Sequence, residues 1–159
     1  MNDQIIKNTV DVIIEEYVRP TDDMTLAAAL RLCEKVRKKA AEMGVRAVVA
    51  VTNRGGNPVT VQCSDGAYIA SYDIALNKAY TAVALKMTTK ELSLLAKPGA
   101  SLYGIQHTNQ GRIVIFGGGE PLRNKNGDII GGIGVSGGSE EEDTKLGCYG
   151  REIFEKGCK

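Results

Sequence analysis

The sequence has no CxxC pair, and no histidine stands at metal-ligand spacing from any of its four cysteines, Cys33, Cys63, Cys148 and Cys158. A structural zinc site is excluded on that spacing. Nor is there an apolar run near the roughly 18 to 20 residues needed to span a bilayer. The first residues are too polar for the core of a signal peptide. The cytoplasm is therefore the expected compartment, and there the cysteines read as free thiols. An excess of one charge is missing too. Twenty Lys and Arg against nineteen Asp and Glu leave a formal net charge of +1. The cations are scattered, so the basic footprint that a nucleic-acid backbone requires is absent. No Cys or Ser has a local sequence signature that ties it to the single histidine, which leaves nucleophilic hydrolase chemistry without support.

What is present describes one folded unit. A chain of 159 residues, 43% apolar and 25% charged, has ordinary globular composition and can bury a continuous core without disulfide or metal. Ile6, Val10, Ile13 and Tyr17, widened by Ile14 and Val18, share one face of a helix over residues 3–18. A polar break around Pro20 follows. Residues 1–20 are thus expected to form an amphipathic helix and linker, and residues 21–159 the main domain.

Within that domain Leu26, Leu30, Cys33 and Ala40 repeat at helical spacing up to Met43, and Gly44 supplies the stop. Cys33, on the apolar stripe, reads as a small core residue. Arg46–Thr52 and Val59–Cys63 read as strands joined through a turn at Asn53–Pro58. Over Ser71–Met87 a helix carries Ala75, Ala79 and Ala82 on one side, small enough to approach a sheet closely. Thr88 with Glu91, and Ser139 with Glu142, fit the S/T-x-x-E pattern that opens a helix. Between these two boxes Arg112–Phe116 reads as a strand and Gly117–Gly119 as a flexible corner. Asn126-Gly127 reads as a two-residue hairpin turn leading into a strand over Asp128–Val135. Strands joined by tight turns pair antiparallel, so the predicted class is α+β, with helices on an antiparallel sheet.

Chemistry has few places to reside. Gly132-Ile133-Gly134-Val135-Ser136-Gly137 fits GxGxxG, yet no second strand carrying an acid follows it. Glu140, Glu141, Glu142 and Asp143 at the following helix start would also repel a pyrophosphate. Gly117, Gly118 and Gly119 either serve packing or border a shallow pocket whose amides hold an anion. His107, the only histidine, lies in the polar run Gln106-His107-Thr108-Asn109. It could ligate a metal, move a proton, or merely bond within its loop. Asp65 reads as a turn residue and Lys78 as mid-helix. If Lys78 faces inward beside Asp65, the two make the polar floor of the same pocket, because a buried charge needs a partner.

Three strings, VRAVVAVTNRGGNPVT, DGAYIASYDIALNKAYTA and LYGIQHTNQGRIVIFGGGEPLRNKNGDIIGGIGVSGG, resemble the GlcG/HbpS/PduO C-terminal family over about residues 24–156. The resemblance implies a profilin-like fold with a five-stranded antiparallel sheet, and dimers assembling into octamers. It also implies haem as a cofactor, in an accessory role in diol or glycolate catabolism. In haem-binding relatives an axial histidine is expected on the helix equivalent to residues 26–43, and this chain has none there. His107 is then the nitrogen ligand available, with Cys33, Tyr103 or a methionine as substitutes. A second expectation is an enzyme acting on a small hydroxy acid, aldehyde or diol near Asp65, Lys78 and His107. Residues 1–18 look like the peptides that direct enzymes into bacterial microcompartments through the shell, or else pack on their own domain.

Overall fold

The structure, a computed structural model, describes Ile6 and residues 23–157. Apart from Ile6, the helix expected over residues 3–18 lies outside the described residues. From Leu26 onward the order is α1 (Leu26–Glu42), β1 (Val48–Asn53), β2 (Pro58–Cys63), α2 (Ile69–Leu85) and α3 (Thr89–Leu95). Two 3-10 turns follow at Ile105–His107 and Asn109–Gly111, then β3 (Gly119–Arg123), β4 (Ile129–Ser136) and α4 (Glu140–Gly157). The sheet order is β2-β1-β4-β3, and every neighbouring pair is antiparallel.

The α+β class stands as expected, but among the described residues the sheet has four strands, not five. Arg112–Phe116, expected as a strand, runs beside α2 instead. The Val114 amide donates to Thr81 Oγ1 at 3.0 Å, and that hydroxyl lies 2.7 Å from the Asn77 carbonyl and 3.3 Å from the Arg112 carbonyl. A helix hydroxyl thus takes the place of a strand neighbour. The turn at Asn126-Gly127 is also wider than two residues. Asn124 Oδ1 accepts from the amides of Asn126 and Asp128, both at 2.9 Å, while Asn124 N–H reaches the Asp128 carbonyl at 2.9 Å. Asn53 organises the β1–β2 turn the same way, accepting from Gly55 and Asn57 at 3.0 Å each. An asparagine side chain bonding two residues ahead stands in for a tighter backbone turn.

Both capping boxes form. Thr88 Oγ1 accepts from the Glu91 amide at 3.0 Å and Glu91 Oε2 from the Thr88 amide at 2.8 Å. Ser139 and Glu142 do likewise at 3.3 and 2.8 Å. Each cap is worth about 1 kcal/mol, because it satisfies amides that no helical carbonyl can reach.

Strand alternation divides the interior in two. Val49 and Val51 of β1 stand opposite Val135 and Ile133 of β4, and these four join Leu32, Val36 and Leu146 in the core beneath α1 and α4. Fully burying side chains of this size contributes about 1.5–3 kcal/mol each. The other face of β1, Val48 and Ala50, meets Ala75 and Ala79 of α2. Here the helix rides on glycine. A Cβ at Gly132 would lie 2.5 Å from the Ala79 carbonyl oxygen, one at Gly119 2.6 Å from that of Lys78, and one at Gly134 would collide with that of Ala75. Gly132 and Gly134 of the GxGxxG run therefore admit α2 against the sheet.

Candidate functional site

That close approach carries Lys78, in the middle of α2, to the far end of β4. Its side chain has no exposed surface, and Nζ donates to the Val135 carbonyl and to Asp143 Oδ2, each at 2.8 Å. Asp143 lies in the first turn of α4, its side chain only 5% exposed, and its other oxygen accepts from the Gly138 amide at 3.0 Å. The ring centroid of Phe116 lies 4.8 Å from the ammonium, a cation–π contact on the side not taken by oxygen. Burial pushes the Lys78 amine down and the Asp143 carboxyl up, and each is drawn back by the charge of the other. An ion pair sealed in this way is a structural post first.

Above the post opens a cleft of about 380 Å³, walled by Tyr68, Ile74 and Phe116 and floored by Ser71, Ser136 and Asp143. The two serine hydroxyls bond each other at 3.1 Å. Glu140 stands at the rim, where the Lys90 ammonium and then the Gly117 amide hold its carboxyl below the usual range.

The residues expected at a site are partly gathered and partly dispersed. Gly117, Gly118 and Gly119 do pass beside Lys78, since a Cβ on Gly118 would lie 2.8 Å from Nζ. The amides of Gly117 and Gly119 are not open to an anion, however. Gly117 donates to Glu140 at 3.1 Å and Gly119 to Thr89 Oγ1 at 2.9 Å. Asp65 is exposed in the turn before α2, and the carboxylate facing Lys78 is Asp143 instead. Asp143 was legible in one respect, since Asp143, Leu146, Gly147 and Gly150 recur at helical spacing along the buried face of α4.

His107 is exposed at the end of a 3-10 turn, and its Nε2 approaches only Gln106 Nε2, at 3.5 Å. Further along the polar loop, Asn109 and Gln110 adopt left-handed backbone, φ +49° and +59°. Such geometry is costly without glycine. The segment is tied to α2 by Asn109 Nδ2 on the Tyr80 hydroxyl at 3.2 Å and by the Arg112 guanidinium stacked 3.6 Å from the Tyr80 ring centroid. No hydrogen bond or ion pair joins any two of Asp65, Lys78 and His107. Among the described residues no three His, Cys, Asp or Glu side chains cluster as a metal site. No helix there is long and apolar enough to cross a membrane.

The profile of the family described as haem degrading protein HbpS-like matches residues 24–151. The chain belongs to this family. A 15.0 kDa protein encoded between dhaT and dhaS in Citrobacter freundii is 50% identical over 131 residues, spanning 79% of this chain and 92% of that one. Klebsiella pneumoniae ORFY has a crystal structure of the same fold, with a TM-score of 0.81 and 46% identity over 86% of this chain and 93% of its own. The crystal structure of a PduOC–haem complex matches with a TM-score of 0.78 and 35% identity, covering 82% of this chain and 94% of its own.

Proposed function

We propose that this protein binds haem or a related tetrapyrrole, as an accessory protein in diol- or glycolate-type catabolism. The reading is carried by the likeness to the PduOC–haem complex across nearly all of that chain. An accessible imidazole supports it. Haem, when bound, supplies an iron that takes a protein nitrogen and cycles an electron. The His107 ring is exposed, Tyr103 in the same loop is 65% exposed, and the Arg112 guanidinium nearby in sequence suits a propionate. Cys33 does not fit as a ligand. Its thiol is buried against the Val49 carbonyl, and burial pushes its pKa up to about 12, so no thiolate forms near neutrality. In this reading His107 is the metal ligand, while Lys78, Gly117, Gly118 and Gly119 form scaffold and Asp65 lies apart.

The assembly we propose is a homo-octamer, with residues 1–18 serving as an address for a bacterial microcompartment shell. The enzyme reading near Asp65, Lys78 and His107 has no gathered set of groups to support it.

Titration of the full chain with haem, followed in the Soret region, is expected to saturate at one haem per chain, with a spectrum that changes in His107→Ala. Absence of saturable change in the wild type would remove the haem reading. An unaltered spectrum in the variant would remove the role of His107 alone.

A further inference from the structure

Arg54 in the β1–β2 turn, Lys86 at the end of α2 and Arg123 at the end of β3 line one cleft of about 390 Å³, where the sole acidic side chain is Asp128. None of the three cations takes part in an ion pair among the described residues. Arg123 is held in place, its Nη1 donating to the Gly127 carbonyl at 2.9 Å. Lys86 and Arg123 also line an adjoining groove of about 490 Å³, whose wall includes Leu94, Leu95 and Pro121. Leu94 is 57% exposed there.

Two costs are concentrated at this place. Lys86 ends α2 in the left-handed conformation, φ +57° and ψ +30°, where glycine is the unstrained residue. Three cations brought together also repel one another. The repulsion is offset when an anion lies among them.

We propose that this cleft binds a phosphate ester, its phosphate between Arg54, Lys86 and Arg123 and its apolar part on Leu94, Leu95 and Pro121. A phosphate monoester carries a charge of about −1.5 to −2 at neutral pH and three strong acceptor oxygens. That matches three cationic side chains lining one cleft better than one carboxylate does, and the guanidinium fork suits phosphate geometry. The site draws on none of the residues assigned to haem.

The test is a calorimetric titration of the full chain with phenyl phosphate, with inorganic phosphate and benzoate in parallel. One saturable site per chain is expected, with phenyl phosphate the tightest of the three. Lys86→Gly and Arg123→Gln each weaken it by about tenfold or more, the worth of one charge-assisted hydrogen bond. Leu94→Ser weakens phenyl phosphate and leaves inorganic phosphate unchanged. Glycine suits the backbone at position 86, so Lys86→Gly melts no lower than the wild type and its loss of binding is not a loss of fold. No saturable binding, variants that bind like the wild type, or benzoate as tight as phenyl phosphate would each overturn the proposal.

Discussion

Lys78 shows how a single residue can look functional and act as structure. A lysine without exposed surface needs its charge answered, and Asp143 and the Val135 carbonyl answer it at 2.8 Å each. Removing one partner leaves the other charged in a site that water does not reach. Lys78→Met is therefore expected to cost about 3–5 kcal/mol of stability, and adding Asp143→Leu to recover most of it, since an apolar pair of similar volume replaces the ions. Urea denaturation of the two variants measures both. A double variant as unstable as the single one would show that Asp143 matters through something besides the pair. Cys33 is the opposite case, a residue that reads as core and is core, its thiol bonded to the Val49 carbonyl at 3.8 Å.

At the scale of the element, α2 sets the terms. Its small residues Ala75 and Ala79 meet Gly134 and Gly132 of β4, and its Lys78 carbonyl meets Gly119 of β3, so helix and sheet approach until backbone touches backbone. This packing brings Lys78 within reach of α4, and it accounts for Gly132 and Gly134 in a pattern that resembles a nucleotide fingerprint. The segment before the domain poses a different question. On residue spacing alone, a helix over residues 3–18 would put Ile6, Val10, Ile13, Ile14 and Tyr17 on one face, and a helix of that length is marginal alone and needs a surface to dock on. If that surface is a shell, residues 1–20 fused to a fluorescent reporter co-localise with expressed microcompartment shells, and Val10→Asp with Ile13→Asp abolishes this. Diffuse fluorescence from the unmutated fusion would return the segment to packing on its own domain.

At the scale of the whole molecule, several large apolar side chains stand exposed in one region. Tyr68, Ile69 and Tyr72, around the start of α2, are 76%, 96% and 51% exposed, and Phe116 is 38% exposed. Contiguous patches of large apolar side chains mark contact surfaces, and self-association with closed symmetry is the common way to cover them. Light scattering of the full chain is expected to give eight copies, and Ile69→Asp with Tyr72→Asp a smaller species. A stable monomer at micromolar concentration would refute the assembly.

Several features of this protein were settled along the chain. The boxes Thr88/Glu91 and Ser139/Glu142, the helix over Leu26–Glu42 and the β1–β2 hairpin were legible because each rests on bonds or contacts between residues a few positions apart. Family membership was legible for a similar reason, since its strings recur in order. Tertiary structure decided the rest. Lys78 faces Asp143, 65 positions away, rather than Asp65, because a buried charge takes whichever opposite charge the packing of helices on the sheet delivers. Arg112–Phe116 left the sheet because Thr81 offered its amide a partner on α2. The cleft of Arg54, Lys86 and Arg123 comes from three separate elements, and no local spacing encodes that meeting.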